Sequence, residues 1–436
     1  MMFKKTAAAG VVALALLTTA ACGTANQEAS GSAKASGEPT EITFYSYNLA
    51  IASQKEGVMQ LISEFEAAHP DIKIDPIAIA STEINTKVQA DIAAGSRPDV
   101  AQLVFDGLDY AVQNYGAKAL EDIVPADELQ KNFEGFSPNG LKLGQLAGKT
   151  YGMPYTFSTP VLFYNANIFQ EAGLDPNQPP KTWDEVKQAA LQIASKTKAA
   201  GVHIQGMAGA DWIAQALVGS NGGKVLSDDR KSIQFGEPAA VGAITMWRDL
   251  IQSGAHDKLN DNDVTQSFSE GKLGMVLTTS ALQSGFIAAA KAGGWELKNA
   301  AMPSFGSKPT TPVNSGSALF ILSEDPAKQK AAWEFVKFAT SERGYTIITT
   351  KMGYLPLRPA IVDDAQYLKE WVAQNPLVKP NLDQLTRLQP WVSYPGAKFS
   401  QVESTFLDAV QKSLQTTGDI TPILQDAQKR AQTLIQ

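Results

Sequence analysis

The stretch Tyr151 to Val186, YGMPYTFSTPVLFYNANIFQEAGLDPNQPPKTWDEV, changes register twice and so reads as a crossing between two globular halves. From Met153 to Asn165 it alternates and then runs apolar through Val161, Leu162, Phe163 and Tyr164, the pattern of a strand entering a core. Helical residues follow from Ala166 to Ala172, and Gly173 stands where a helix ends in a left-handed cap. Pro176, Pro179 and Pro180 then bar a helix until Thr182, whose hydroxyl can cap a helix starting at Trp183, with Glu185 placed to answer it. Ser158 and Thr159, just ahead of the rigid Pro160, would face a cleft between the halves.

Upstream, strands alternate with helices. Ile42 to Ser46 reads as a strand, and the helix after it carries Val58, Leu61, Ile62 and Phe65 on one face. Ile72 to Ile79 and Val100 to Phe105 read as further strands, with Ile84, Val88 and Ile92 marking a helix face between them. This alternation predicts an α/β fold with parallel pairing and helices on both faces of the sheet. In such sheets ligands sit at the carboxyl ends of the strands, which puts Asp106 at the edge of a cleft. Downstream, Gly206 to Trp212 reads as a loop leading into a helix. Lys272 to Thr279 reads as a strand ending in a second crossing at Leu277 to Ser280, and Ala300 to Met302 and Ser317 to Leu322 as strands that return to the first half.

Met1 to Cys22 is a targeting segment: Lys4 and Lys5 precede an apolar run, Ala7 to Leu17, and then the small residues Thr19, Ala20 and Ala21. Cys22, the single cysteine of the 436 residues, sits where a bacterial lipoprotein leader places its lipidated residue, although Thr19 stands where leucine is usual. An ordinary secretory leader with an incidental cysteine is the alternative. One cysteine permits no internal disulfide, so stability must come from the core. Gly23 to Pro39, rich in Gly, Ser, Ala and Thr, reads as a tether from membrane to domain. The remaining chain is long enough for two domains. The net charge of the whole sequence, −7, argues against a nucleic-acid partner.

Several chemistries lack their residues. The three histidines, His69, His203 and His256, are scattered in sequence without a metal-ligand spacing, so neither a metal nor another cofactor is expected. No nucleophile elbow and no phosphate-cradling glycine loop is present. An exported carbohydrate hydrolase would need two acids across one bond. Asp184-Glu185 and Asp363-Asp364 are adjacent and look like helix starts, so catalysis is not expected. A surface adhesion or scaffold protein is another alternative.

STPVLFYN followed by AGLDP and PPKTW resembles the extracellular solute-binding proteins of ABC importers, in the branch that binds glycerol 3-phosphate and glycerophosphodiesters. Met352-Gly353-Tyr354-Leu355-Pro356-Leu357 and Asn314-Ser315-Gly316-Ser317-Ala318-Leu319 are similar to two further landmarks of that branch. The resemblance implies a two-lobed fold with a central ligand cleft and interleaved lobes, here 40–155 with 280–322 and 156–279 with 323–436. It also implies a monomer that hands its solute to a membrane permease. Carried over position by position, it implies ligand contacts from Asp106, Ser158, Trp212, Asn314, Ser315, Gly316 and Tyr354, with Asp106 taking glycerol hydroxyls. Two positions depart from the pattern: Ala80 and Ser81 stand where the family has a tyrosine, and no arginine lies near Pro395-Gly396, leaving Lys398 as the nearest cation. Without an arginine fork, a phosphodiester ranks ahead of glycerol 3-phosphate, and an oligosaccharide is the further alternative.

Overall fold

The computed structural model describes residues 38–206 and 210–435. The leader, Cys22 and the tether through Gly37 lie outside the described residues, as do Met207 to Gly209 of the loop before Trp212. Eleven strands are described. They are β1 Thr40–Ser46, β2 Ile72–Ala78, β3 Val100–Val104, β4 Gln145–Leu146, β5 Lys149–Thr150, β6 Gly152–Ser158, β7 Pro160–Asn165, β8 Ala200–Ile204, β9 Leu273–Thr279, β10 Leu297–Ala301 and β11 Ser315–Ile321. Five form a first sheet in the order β2-β1-β3-β11-β6, and four form a second in the order β10-β7-β9-β8, while β4 and β5 pair as a small hairpin. Each large sheet centres one lobe of an α/β fold.

Both sheets are mixed. β1 runs parallel to β2 and β3, but β11 runs antiparallel to β3 and β6; β8 and β9 are parallel, and β7 is antiparallel to β9 and β10. The parallel expectation therefore holds for β1, β2 and β3, while antiparallel strands enter both sheets.

The apolar run Met153 to Asn165 is two strands in different sheets, every residue of both buried. Pro160 has no N–H to continue a ladder, so it ends one strand and begins the next, and the chain passes between lobes at Ser158, Thr159 and Pro160. Downstream of it, Asn165 caps the short helix Ala166–Glu171, and Thr182 and Glu185 form a reciprocal capping box on the helix Trp183–Lys196. Gly173 takes φ +75°, as a left-handed cap requires.

Two expectations about the second half are corrected. Leu277 to Ser280 is not a crossing: Thr279 pairs with Pro160 inside the second sheet, and a helix, Gln283–Gly293, leads the chain back into that sheet as β10. The strand around Ala300 thus stays in the second lobe, and the return to the first runs through residues 302–314. Only then does β11 slot between β3 and β6. The C-terminal part also divides. The helix Pro326–Ala339 packs on the first sheet, with the Phe335 ring 5.0 Å from Phe44 and 5.3 Å from Phe65. The helix Phe399–Gln415 packs with the second lobe, where Phe406 stacks on Phe235 at 4.2 Å.

Val58, Leu61, Ile62 and Phe65 are all buried on the helix Ala52–Ala68, as their spacing predicts. Burying such a side chain contributes about 1.5–3 kcal/mol. β8 has no counterpart among the expected elements, because AGVHI is short and places a histidine among its apolar residues. No helix among the described residues is long and apolar enough to cross a membrane.

Candidate functional site

The carboxyl end of β3 turns through Phe105–Gly107, which carries Asp106. The antiparallel register of β11, with Ser317 opposite Val104, runs its amino end toward that turn, and Asn314 immediately precedes β11. Asn314 is wholly buried, and its Oδ1 accepts from the Trp391 amide at 2.7 Å, which fixes the orientation of its amide group. Its Nδ2 is left without a partner, and so is the buried Oδ1 of Asp106. The Ser393 hydroxyl donates to the Asp106 carbonyl and ties the segment after Trp391 to the same turn.

Asp211, the residue before the helix Trp212–Ser220, enters from the second lobe and is completely buried. It accepts from Gln215 Nε2 at 3.0 Å to each oxygen, from Trp391 Nε1 at 2.7 Å and from the Tyr394 hydroxyl at 2.7 Å. The Asp211 amide donates to Glu403 Oε1 at 3.2 Å. Three segments thus bring three carboxylates together.

Burial pushes the Asp106 carboxyl up to about 7, helped by the charge of Asp211. Glu403 rises to about 9, through burial first and then through Asp106 and Asp211. Asp211 is raised by burial against the pull of its hydrogen bonds. With four donated bonds it holds negative charge best, so the retained protons reside on Glu403 and Asp106. The folded protein therefore binds protons that the unfolded chain, with acids near their usual values, releases. This stabilisation is complete below about pH 4 and is lost as pH rises through about 7 and about 9. Thermal melts in solute-free buffer should fall in Tm from pH 5 to pH 9. Glu403→Gln should flatten the upper part of that decline, and an unchanged slope in the variant would refute the assignment.

The other expected residues divide into groups. Ser158 lies at the crossing, where Thr279 Oγ1 donates to its hydroxyl at 2.8 Å and Ser315 stands opposite it in register. Gly316 has φ +121°, and a Cβ there would lie 2.1 Å from the Thr156 carbonyl oxygen, so close strand approach already demands glycine. Trp212 opens its helix and is 9% exposed. Tyr354 is buried in a first-lobe network: its hydroxyl accepts from Asn48 Nδ2 at 3.3 Å, and Gln102 links Ser46 and Ser317 at 2.6 and 2.8 Å. Lys398 is exposed just before the helix Phe399–Gln415, and it is Glu403, within that helix, that enters the cluster. Asp211, Gln215, Trp391, Tyr394 and Glu403 carry no motif or spacing that marks them in the sequence. The nearest thing to a signal is the run Trp391-Val392-Ser393-Tyr394, two rings and a hydroxyl just before Pro395-Gly396.

Two of the histidines meet in the structure. His203 and His256, scattered in sequence, are buried with ring centroids 4.4 Å apart, and with Asp257 they form a grouping that a metal could use. The nitrogens are already committed. His256 Nε2 accepts from the Ile204 amide at 2.9 Å, so Nδ1 carries the proton and donates to the Asp257 carbonyl at 2.8 Å. His203 meets Asp257 at 2.7 Å and Asp261 at 3.0 Å through its two nitrogens, the geometry of an imidazolium between carboxylates. Burial pulls the His203 pKa down, but both acids together raise it; burial and the neighbouring charge lower His256 to about 4. The group is a charge clamp.

The family model described as bacterial extracellular solute-binding protein matches residues 60–380. The sn-glycerol-3-phosphate-binding periplasmic protein UgpB of Escherichia coli K12 is 27% identical over 326 residues, covering 70% of this chain and 72% of that protein. Among solved structures, the cyclic alpha-maltosyl-1,6-maltose binding protein from Arthrobacter globiformis aligns with a TM-score of 0.79 at 22% identity, over 91% of this chain and 99% of that one. UgpB from Mycobacterium tuberculosis in complex with glycerophosphocholine aligns with a TM-score of 0.77 at 22% identity, over 90% and 98%.

Proposed function

From the premise that the chain belongs to the bacterial extracellular solute-binding proteins and serves an ABC importer, we propose that it captures a solute presenting vicinal hydroxyls, with a glycerophosphodiester first in rank. The carrying observation is that Asp106 Oδ1, an acceptor, and Asn314 Nδ2, a donor, are both buried without a partner. A hydroxyl both donates and accepts, and a diol reaches two such groups at once. The family and its structural neighbours are binding proteins, and binding is what these groups can do.

The charge of the cluster ranks the solutes. The Asp211 carboxylate and the partly ionised Asp106 oppose a dianionic monoester phosphate, and Arg230, the cation joined to this segment, is already engaged by Asp109. That places glycerol 3-phosphate behind an oligosaccharide, the second reading, for which acids flanked by tryptophan and tyrosine rings supply hydroxyl acceptors and stacking faces. A phosphodiester carries one negative charge, and a cationic head group such as choline would find both acids and rings. Closure of the lobes about residues 158–160 and 302–314, with contacts from both sides, completes the mechanism. Anchoring by a lipidated Cys22 belongs to the same proposal, with loss of membrane retention in Cys22→Ala as its readout.

A thermal-shift panel of glycerophosphocholine, glycerophosphoglycerol, glycerol 3-phosphate, maltose and trehalose tests the ranking. The phosphodiesters should stabilise most and glycerol 3-phosphate least. A response to the disaccharides alone transfers the reading to oligosaccharides, and silence throughout the panel defeats the diol site.

A further inference from the structure

Arg230 stands at φ +59° in the turn of a hairpin closed by the bridge between Leu226 and Ile233. Glycine is the residue that takes this backbone without cost, so the arginine is held there for its side chain. The hairpin is fastened to the second lobe: the Ile233 amide donates to Gln432 Oε1 at 2.8 Å and the Gly236 amide to Gln428 Oε1 at 2.7 Å. The guanidinium reaches out of that lobe. Its Nη2 donates to Asp109 Oδ2 and, at 2.8 Å, to the Ser393 carbonyl. Asp109 lies on the helix Leu108–Asn114 that follows β3, in the first lobe, and its side chain is 4% exposed. Ser393 in turn holds the Asp106 carbonyl.

We propose that Arg230 is a latch between the lobes and a positioning residue for solute capture, acting through Asp109 and Ser393 on Asp106. The inference rests on the solute-binding reading for its effect on affinity, while the latch itself stands on the ion pair. Opening the cleft separates the guanidinium from a buried carboxylate that keeps Gln113 Nε2, at 2.6 Å, as its remaining donor. That loss favours the closed form, slows solute release and makes both sensitive to salt.

Arg230→Gly removes the latch and suits the backbone, so a purely structural role and a latch predict opposite patterns. The latch predicts an unchanged or higher Tm, together with an expanded small-angle scattering profile of the solute-free protein. It also predicts release about tenfold or more faster for whichever of glycerophosphocholine or maltose the wild type binds. Arg230→Lys should restore part of the closed population. A wild-type scattering profile in Arg230→Gly overturns the proposal. So does a lowered Tm with unchanged release. If neither probe binds the wild type, the solute reading fails while the scattering comparison still decides the latch.

Discussion

Gly316→Ala is expected to cost about 3 kcal/mol or more of folding stability, read as a lowered denaturation midpoint at unchanged slope. The added methyl would fall 2.1 Å from the Thr156 carbonyl oxygen, on backbone that cannot swing aside as a flexible side chain does. The φ of +121° adds a conformational cost of its own. Gly95→Ala is the control: φ there is +78°, with nothing within 4 Å of the new carbon, so only the backbone cost, about 1 kcal/mol, applies. Equal losses at the two positions would mean that β6 and β11 can separate freely, contrary to their paired register.

Asp106→Ala should weaken solute affinity by about 100-fold, near 2.7 kcal/mol, without lowering stability. The two effects would differ because the proposed contact uses the carboxyl's unpartnered oxygen, whereas in the solute-free protein the group is a buried acid influenced by the charge of Asp211. Removing it lifts that repulsion. Calorimetric titration with the best compound of the panel, beside a thermal melt, reads both quantities. Wild-type affinity in the variant would remove Asp106 from the site, and a fall in Tm would show that its role is structural.

What the sequence disclosed of the fold was local. The Thr182 capping box, the buried face of Val58, Leu61, Ile62 and Phe65, and the limits of β1, β2 and β9 each rest on neighbours within a few residues. Where the chain changed sheets was harder. Periodicity marked Met153 to Asn165 as strand but carried no information on which sheet each half joins, and only Pro160 signalled the break. The same limit misplaced β10. The site shows the strongest contrast. Asp106 follows from a rule about strand ends, but Asp211 and Glu403 meet across 192 residues, and His203 and Asp257 across 54. Such partners leave no spacing to count, and a glutamate on an amphipathic helix looks like any solvated charge.

The place of β11 bears on how the chain is made. It is the antiparallel partner of both β3 and β6, yet it is the last strand among the described residues, ending at Ile321. Until it emerges, β3 and β6 present bare edges to one another, and the first lobe exists only as fragments. Loop closure over such separations slows folding. Synthesis must pass residue 321 of 436 before the sheet of the first lobe can close, so the chain up to that point lacks the strand that joins β3 to β6.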